Sequence, residues 1–483
     1  MNDQPEELVY DFAVIGAGIV GSAIARDLAA FDRSVAMIEA REDVCEGTSK
    51  ANTAILHTGF DAKPGTLESA MVSRGYTLLS DYAAETGIPI EHTGALLVAW
   101  TEEERDALPA LQDKAIANGY ERCEIVDADE VYRQVPSLGA GALAGLTVPD
   151  ESIICTWTTN LALATDAVNR GATLHTNARV ESIAREGELT RLHTAAGTIS
   201  ARWVVNAAGL GCDHIDQKFG YDRFHVTPRR GELLVFDKLA RPLIDKIVLP
   251  VPTSRGKGVL VSPTIYGNVM LGPTAEDLED RTDTATSEGG FDFLLDKGRR
   301  LMPQLLDEEV TATYAGLRAA TDHGDYIIDV DRTQQYVLVG GIRSTGLTSG
   351  IAVAEHVTAM LAEFGALGDA PRADLPDPPR MPNLGEAFTR PYQDAARIEG
   401  DPEYGKVVCF CERVTAGEIR DAYLSAIPPV TLEGLRKRTR AMNGRCQGFF
   451  CGAEVGDMAE KHCTRGPNNT IRTPRPSLKG ADR

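Results

Sequence analysis

Four cysteines near the end of the chain occur in two close pairs, and their thiols have the clearest capacity for metal chemistry. Cys409 and Cys411 are one residue apart in CFC, whereas Cys446 and Cys451 are four residues apart in CQGFFC. Four thiolates in two pairs can bind either Zn²⁺ or an iron–sulfur cluster. Structural zinc sites usually place about two to four residues between paired cysteines, so the first pair disfavours zinc. Iron–sulfur binding, zinc binding and unmetallated thiols are therefore the alternatives.

A glycine-rich stretch at the start of the chain has the spacing of a dinucleotide site. Gly16, Gly18 and Gly21 form G-x-G-x-x-G between the apolar run YDFAVIG and the helical pattern IVGSAIARDLAAF. The three glycines permit a tight turn, close approach of a pyrophosphate, and close packing of the helix on the strand. A second apolar run, SVAMIEA, ends in Glu39, whose carboxylate can accept a hydrogen bond from a ribose hydroxyl. A single motif of this kind indicates one dinucleotide, either NAD or FAD.

The elements that position these residues follow from the apolar pattern of the chain. Its 483 residues are too many for one compact core and predict two or three domains. The N-terminal order of strand, glycine turn, helix and strand predicts a parallel α/β sheet. The stretch KGVLVSPTIYGNVML predicts two strands joined by a Tyr-Gly-Asn turn. Thr415 followed by Glu418 predicts the start of a helix.

The composition disfavours several classes of function and location. A net charge of −21 repels the phosphates of nucleic acids. The chain has no run of about 18 apolar residues, so no transmembrane helix is predicted, while peripheral contact with a membrane stays open. The N-terminus lacks the basic start and apolar run of a signal peptide, which predicts a cytoplasmic protein. The five scattered cysteines, Cys463 among them, are therefore expected to be reduced and mostly buried.

Five stretches occur in the order in which D-amino-acid-oxidase-like FAD oxidoreductases carry them. They are GTSKANTAILHTGFDAKPGTLES from position 47, WVVNAAGLGCDHI from 203, RRGELLVF from 229, YAGLRAA from 314 and GGIRSTGLTSGIAVAEHV from 340. Residues 9–365 resemble this superfamily, and within it the glycerol-3-phosphate dehydrogenases and 2-hydroxyglutarate oxidases. The resemblance implies FAD as the cofactor. It also implies an α/β Rossmann-like FAD-binding domain with an inserted antiparallel-sheet substrate domain of α+β type.

The same resemblance assigns expected positions around the flavin. Ser49, Lys50 and Asn52 of GTSKAN are expected near the isoalloxazine, and Val180 beside the adenine. The expected contacts of the pyrophosphate and of the flavin's pyrimidine end are Ala208, Gly209, Gly341, Ile342, Gly346, Leu347 and Thr348. The stretch STGLTSGIAVAEHV predicts a loop that opens a helix, whose positive end would face the N1–C2=O region of the flavin.

Two further residues are expected, from the resemblance, to act on a substrate. Arg318 in YAGLR matches the position at which related enzymes hold an anionic group, and a guanidinium suits carboxylate or phosphate. His57 in ILHTG is expected to take the hydroxyl proton as a general base. An interdomain ion pair for Arg318 and a structural role for His57 are the alternatives. Further expected partners of the anion are Lys63, Arg229 and Arg230.

The chain also departs from the glycerol-3-phosphate enzymes near this histidine. Those enzymes usually carry Arg-Tyr where this chain has Phe60, Asp61 and Ala62. The carboxylate of Asp61 would repel a phosphate. Glu232 stands where those enzymes tend to have the serine of Gly-Ser-His. Oxidation of a CH–OH group is therefore better supported than glycerol 3-phosphate as the particular substrate.

The last part of the chain resembles a second family, the [2Fe–2S] domain of bacterioferritin-associated ferredoxin. The likeness covers about residues 405–456 and includes TAGEI and RCQGFFC. It implies a small helical domain in which a [2Fe–2S] cluster is bound by Cys409, Cys411, Cys446 and Cys451. The basic run RKRTR at 436–440 is expected to stabilise the anionic cluster or to form a solvated helix face.

These features together predict a division of the chain and a function. The expected parts are an FAD oxidoreductase at 9–365, a Pro-rich linker at 366–403, a [2Fe–2S] domain at 404–460 and a tail at 461–483. A flavin accepts two electrons as a hydride, whereas a [2Fe–2S] cluster passes electrons singly. The pairing predicts a dehydrogenase of a small anionic alcohol that delivers electrons to a quinone or protein acceptor. An amine or amino-acid dehydrogenase, and an electron-transfer subunit of a larger complex, are the alternatives.

Overall fold

The computed structural model describes residues 9–252, 258–368 and 370–462, together with the backbone of residues 470 and 471. Most of the predicted tail, including Cys463, lies outside these residues. The described chain contains two large sheets with helices packed on them, and a small helical unit near its end. None of the helices in these ranges combines the length and the apolar character that crossing a bilayer requires.

The first sheet has the N-terminal glycine motif at the end of a central strand. Val9–Ile15 pairs in parallel with Val35–Ile38 on one side and with Gly197–Asn206 on the other. Thr173–His175 and Tyr336–Gly340 continue the parallel part outward. Antiparallel strands complete the sheet, namely Val180–Glu186, Leu189–Thr194, Ile327–Asp331 and Thr470–Ile471. The predicted Rossmann-like sheet is confirmed by this order.

Helices pack on this sheet and against one another through small residues. Ile19–Leu28 begins at the glycine motif and packs against Thr156–Asn169 and Gly346–Glu363. The helix Leu67–Thr86 also packs against Gly346–Glu363. The helix Cys212–Lys218 contacts strands of the first sheet. Alanine and glycine on these helix faces allow the close approach that dense packing requires. The helix predicted after STGLTSG is confirmed as Gly346–Glu363.

The second sheet forms the inserted region and is antiparallel in all pairings but one. Its strands are Ala95–Ala99, Glu124–Asp127, Ala144–Val148, Val226–Phe236, Ile247–Pro250, Leu260–Pro263, Val269–Gly272, Glu276–Asp277 and Val310–Thr321. The single parallel pairing joins Ile247–Pro250 to Ala95–Ala99. The predicted hairpin is confirmed by the pairing of Leu260–Pro263 with Val269–Gly272. Neighbouring elements are the helices Glu102–Ala117, Ala128–Gln134 and Glu288–Leu301 and the short strands Ile55–Leu56, Ile90–Glu91 and Ser152–Ile154.

The C-terminal unit is small and mostly helical, as its resemblance implied. Its elements are the strands Val407–Cys409 and Val414–Thr415 and the helices Ala416–Leu424, Leu432–Thr439 and Gly452–His462. The Thr415 hydroxyl accepts the Glu418 N–H at 3.3 Å, and the Glu418 carboxylate accepts the Thr415 N–H at 2.8 Å. The helix start predicted from these two residues is therefore confirmed.

The segment predicted as a linker, 366–403, is irregular apart from short helical turns such as Ala395–Gly400, yet it is packed along the protein. Arg390 is 1% exposed and binds Glu386 at 3.1 Å and Glu418 at 3.2 Å. Because Glu418 belongs to the C-terminal unit, this segment helps to fix the position of that unit. The domain boundaries themselves stay predictions.

The basic run at 436–440 lies in the interface between the C-terminal unit and the first sheet. Arg438 donates two hydrogen bonds to Asp43, of 2.6 and 2.9 Å. Lys437 contacts Glu46 and donates to the carbonyl of Val44 at 3.0 Å. Lys437 and Arg438 are each 4% exposed, so the solvated helix face considered above is wrong for them.

The interface depends on pH through the carboxylate of Asp43. Burial alone would raise the pKa of Asp43, but the charges of Arg438 and Lys437 lower this pKa below its usual value. A carboxyl group whose pKa is lower in the folded protein stabilises the fold above its unfolded value, about 3.9. That contribution is lost as the pH falls through the folded pKa, so the interface weakens in acid.

We expect the Arg438→Met variant to lower the free energy of unfolding by about 1–3 kcal/mol, because the buried Asp43 carboxylate loses both hydrogen bonds to Arg438 and keeps only Lys437, 3.5 Å away, as a counter-charge. Chemical denaturation at neutral pH measures this change. The double variant Asp43→Asn with Arg438→Met is the control, and it should recover most of the loss since no buried charge remains unpaired. Parental stability of the single variant would contradict the assignment.

Candidate functional site

One large cavity, of about 1890 Å³, lies between the first sheet and the inserted sheet. Its lining contains most of the residues that the sequence predicted around a flavin. These are Gly16, Gly18, Glu39, Ser49, Asn52, Val180, Ala208, Gly209, Gly341, Ile342, Gly346 and Leu347. His57 and Arg318 line the same cavity. The structure therefore brings the predicted flavin and substrate residues together.

The glycine motif has the backbone geometry that only glycine permits. Gly16 has a φ of +106°, and a Cβ at this position would lie 2.5 Å from the carbonyl oxygen of Ala207. A Cβ on Gly21 would lie 1.9 Å from the carbonyl oxygen of Gly16. Gly21 is outside the cavity lining, as expected for a residue that lets helix and strand pack closely. Gly18, the N-cap residue, has no side chain to cap the helix Ile19–Leu28. The Ile19 N–H donates to Ser49, and the remaining N–H groups of the first turn can bind an anion.

Glu39 is buried at the edge of the cavity and already holds two backbone groups. Its carboxylate accepts the N–H groups of Ala17 and Arg41, each at 2.9 Å. Burial raises the pKa of Glu39, although these two donors oppose the shift. A carboxylate has further lone pairs, so these bonds leave room for a ribose hydroxyl.

The loop GTSKAN is fixed on the first helix and on the helix Thr156–Asn169. The Ile19 N–H donates to the Ser49 hydroxyl at 3.0 Å, and Asn52 donates to the Thr156 hydroxyl at 3.0 Å. Lys50 differs from its neighbours, because its ammonium binds Glu46 at 2.9 Å and the residue is outside the cavity lining. Of the three loop residues expected near the isoalloxazine, Ser49 and Asn52 therefore line the cavity and Lys50 does not.

His57 is oriented by a buried carboxylate that the sequence analysis did not find. Its Nδ1 lies 3.0 Å from Oε2 of Glu151, which is fully buried. The other oxygen of Glu151 accepts the N–H of Thr58 at 2.7 Å and its hydroxyl at 2.9 Å. Thr348, also expected at the flavin, is buried and accepts the backbone N–H of His57 at 3.0 Å.

This arrangement sets the chemistry of the imidazole. When the Glu151 carboxylate accepts a hydrogen bond from the Nδ1–H group, Nε2 is the nitrogen that can accept a proton. Among the described residues, no hydrogen-bond partner occupies Nε2 of His57, and the residue lines the cavity. A base of this kind can receive a proton from a hydroxyl group bound in the cavity.

Of the three arginines expected near the substrate, Arg318 is the one without an acidic partner among the described residues. It lies opposite Arg229 on the neighbouring strand, and its one hydrogen bond in the described structure is a long one, 3.4 Å, to the carbonyl of Thr274. No acidic side chain of the described residues pairs with it. Burial, and then the charge of Arg229, lower the pKa of Arg318, so an anion beside it would relieve an unfavourable charge.

The other cations expected near the substrate have different surroundings. Arg229 binds Asp277 through two bonds of 2.6 and 2.9 Å. Arg230 is buried and binds Glu276 at 2.6 Å. Both charges are thus neutralised within the protein, whereas Lys63 is exposed at the cavity rim.

The four cysteines of the C-terminal unit lie side by side. Their sulfur atoms contact one another in two pairs, Cys411 with Cys446 and Cys409 with Cys451. Cys409 and Cys451 are buried, and the other two are partly exposed. Within the described ranges, no three His, Cys, Asp or Glu side chains surround one point as the ligands of a single metal ion do. Two pairs of thiols match the two irons of a [2Fe–2S] cluster better than one zinc ion.

Backbone donors around Cys446 also suit a cluster. Hydrogen bonds from the N–H groups of Phe450, Gly448 and Phe449 lower the pKa of Cys446 and so favour its thiolate. Met442 donates its N–H to the sulfur of Cys451. N–H donors to the sulfur ligands are one of the means by which proteins adjust the potential of an iron–sulfur cluster.

Comparisons with known proteins agree with both parts of the site. Residues 11–360 match the family model of FAD dependent oxidoreductases, and residues 407–461 match that of the BFD-like [2Fe-2S] binding domain. The chain belongs to the FAD dependent oxidoreductase family. FAD and a [2Fe–2S] cluster are its cofactors, so the alternatives of NAD and of zinc are set aside.

Individual relatives cover between 72% and 92% of this oxidoreductase. A glycerol 3-phosphate dehydrogenase of Caloramator mitchellensis is 33% identical over 449 residues, which are 92% of this chain and 93% of the relative. A mitochondrial L-2-hydroxyglutarate dehydrogenase of Arabidopsis thaliana is 28% identical over 72% of this chain and 82% of its own. The FAD-bound structure of L-alpha-glycerophosphate oxidase from Mycoplasma pneumoniae superposes with a TM-score of 0.73 at 26% identity, covering 77% of this chain and 99% of that one.

We expect the Glu151→Gln variant of this oxidoreductase to reduce its flavin about 10- to 100-fold more slowly at saturating substrate, because His57 loses the carboxylate that fixes its proton on Nδ1. Anaerobic stopped-flow absorbance measures the rate. The FAD content, and the substrate concentration that gives half the maximal rate of flavin reduction, should stay parental. These two controls distinguish loss of the orientation of His57 from a structural defect.

Thr58→Val is the matched control for this prediction. It removes the 2.9 Å bond between the Thr58 hydroxyl and Glu151 but leaves the bond to His57 in place. Its flavin should be reduced at nearly the parental rate. Equal effects of the two variants would show that Glu151 acts only in packing.

We expect the Cys446→Ser variant to lose its iron while it retains FAD, because the cluster needs four thiolates and the flavin cavity lies in the other part of the chain. Elemental analysis and the flavin absorbance measure the two cofactors separately. Cys123→Ala, at a buried cysteine outside the cluster unit, should keep both. Full iron content in Cys446→Ser would remove this residue from the ligand set.

Proposed function

We propose that this protein is a dehydrogenase that oxidises a CH–OH group of a small anionic substrate, of the glycerol 3-phosphate or 2-hydroxy-acid type. The electrons leave through the [2Fe–2S] cluster to an external acceptor, either a quinone or a protein. The observation that carries the proposal is that an oriented base and an unpaired arginine line the cavity that also holds the flavin motifs. An electron-transfer subunit without its own substrate would not need these two groups.

The side chains divide the chemistry between binding and proton transfer. Arg318 holds the anionic end of the substrate with its guanidinium fork. His57 accepts the hydroxyl proton at Nε2 and becomes an imidazolium. Glu151 stabilises this cation through its hydrogen bond with Nδ1. FAD, when bound, supplies the acceptor for the hydride that leaves the same carbon.

The start of helix Gly346–Glu363 supports the same reaction. Gly346 and Leu347, in its first turn, line the cavity. The N-terminus of a helix carries a partial positive charge, which stabilises negative charge on a group bound beside it. A helix start beside the cavity would stabilise the negative charge of a reduced flavin, which supports the proposed reaction.

The surface beside the cysteines is suited to an external acceptor. Phe410 lies between Cys409 and Cys411, and Phe449 and Phe450 lie between Cys446 and Cys451; the three side chains are 65%, 96% and 74% exposed. Large apolar side chains at such exposure are unusual for a monomer surface and often mark contact sites. They lie next to the cluster ligands, where electrons would have to leave the protein.

Two features bear on the class of anion. Asp61, which follows His57 and lines the cavity, disfavours a doubly charged phosphate. The likeness to a glycerol 3-phosphate dehydrogenase, which extends over both parts of the chain, favours glycerol 3-phosphate. We therefore keep glycerol 3-phosphate and 2-hydroxy acids together as the proposed substrates.

An anaerobic flavin-reduction screen tests the proposal. Glycerol 3-phosphate or a 2-hydroxy acid such as L-2-hydroxyglutarate should bleach the flavin absorbance of the holoenzyme. Amino acids and secondary amines serve as the opposing panel. Bleaching by that panel alone would replace the alcohol with an amine as the substrate.

The same assay with Arg318→Ala tests the anion site. Loss of a charged hydrogen bond worth about 1.5–3 kcal/mol should raise the KM about 10- to 100-fold. Arg229→Gln is the control, because Arg229 is already neutralised by Asp277, and its KM should change little. An unchanged KM in Arg318→Ala would remove this residue from the binding site.

A further inference from the structure

A continuous series of contacts joins the predicted flavin loop to the C-terminal unit, and it begins at Trp157. The indole N–H of Trp157 donates to the carbonyl oxygen of Lys50 at 3.0 Å. The neighbouring Thr156 hydroxyl donates to the carbonyl oxygen of Ser49 at 2.9 Å. Trp157 itself is outside the cavity lining. Its ring is thus fixed directly behind the loop that faces the flavin cavity.

The next member of the series is a buried tyrosine of the inserted sheet. The rings of Trp157 and Tyr266 stack with centroids 5.3 Å apart and an interplanar angle of 28°. The Tyr266 hydroxyl lies 3.1 Å from the sulfur of Cys155, and the residue is 9% exposed. Burial raises the pKa of Tyr266 well above its usual value, so the phenol stays neutral.

Arg440 of the C-terminal unit completes the series. Its guanidinium carbon lies 4.1 Å from the ring centroid of Tyr266 and 5.7 Å from that of Trp157. The residue is 7% exposed, and its Nε donates to Glu412 at 3.1 Å. Glu412 also binds Lys238 at 3.1 Å. One arginine therefore contacts both the aromatic pair and the C-terminal unit.

Two short connections link Arg440 to the cluster ligands, one through Glu412 and one through Met442. Glu412, its ion-pair partner, directly follows Cys411 in the chain. Met442, two residues after Arg440, donates its N–H to the sulfur of Cys451. The contacts from Lys50 to the two cysteines thus pass through Trp157, Tyr266 and Arg440 without a gap.

Packing alone does not explain why Trp157, Tyr266 and Arg440 join the two parts of the chain. A buried ion pair costs desolvation, and apolar residues of similar volume usually stabilise an interface as well or better. Electron tunnelling, in contrast, slows exponentially with distance and is faster through contacting groups than across gaps. Stacked aromatic rings and hydrogen bonds provide such contact.

We propose that Trp157, Tyr266 and Arg440 form the route by which single electrons pass from the flavin to the four-cysteine cluster. The inference rests on the proposed function, in which substrate oxidation leaves two electrons on the flavin. Each electron that crosses oxidises the flavin by one electron and reduces the cluster by one, and the external quinone or protein acceptor then reoxidises the cluster. No bond forms or breaks in the three side chains.

The test compares Trp157→Leu, which removes the aromatic ring, with Trp157→Phe, which keeps one. Holoenzyme is mixed anaerobically with substrate, and the flavin and cluster absorbances are followed separately. Flavin bleaching should keep its parental rate in both variants. Cluster reduction should slow by about tenfold or more in Trp157→Leu and by less than about threefold in Trp157→Phe. A parental rate of cluster reduction in Trp157→Leu would overturn the route.

Tyr266→Leu and Tyr266→Phe repeat the comparison at the second position, in case the first variant folds poorly. Iron content and the electron paramagnetic resonance spectrum after chemical reduction provide a readout that does not depend on turnover, and both should match the parent. Lost iron or an altered spectrum in the leucine variants would assign these residues a structural role and overturn the route. If no substrate bleaches the flavin, the proposed function fails. Photoreduction of the flavin then still measures the rate of electron transfer from the flavin to the cluster, so the route can be tested separately.

Discussion

The arrangement of the two redox sites depends on a buried charge network between the helix Leu432–Thr439 and the loop that precedes GTSKAN. Lys437 and Arg438 come from the C-terminal unit, and Asp43 and Glu46 from the flavin-binding part. Removing such ions from water costs several kcal/mol each, and only a partner at hydrogen-bond distance offsets this cost. A displaced docking would separate Lys437 and Arg438 from Asp43 and Glu46, and of these four charges only Glu46 would keep a partner, Lys50, so the network favours one relative position.

The same network reaches the flavin cavity itself. Glu46 binds Lys437 on one side and Lys50 on the other, at 2.9 Å. Lys50 belongs to the loop whose Ser49 and Asn52 line the cavity. The C-terminal unit therefore supports the conformation of the flavin loop. Loss of its docking would disturb this loop as well as the position of the cluster.

The parts of the fold that depend on local sequence could be predicted, because their signals are local. The glycine motif, the hairpin at Leu260–Gly272 and the capping of the helix after Thr415 each need only neighbouring residues. The pairing of His57 with Glu151 joins residues 94 positions apart, and that of Asp43 with Arg438 joins residues 395 apart. No spacing rule connects such positions, since the packing of separate elements creates them.

The electrostatic potential in the cavity depends on which charged side chains lack an ion-pair partner. Three arginines lie on two adjacent strands, but Asp277 and Glu276 neutralise Arg229 and Arg230 and leave Arg318. A protein with a net charge of −21 repels an anionic substrate at long range. Attraction must therefore arise within the cavity, where low-dielectric walls strengthen the field of a single guanidinium. In the proposed function, selection for an anion therefore depends on Arg318 inside the cavity rather than on the charge of the surface.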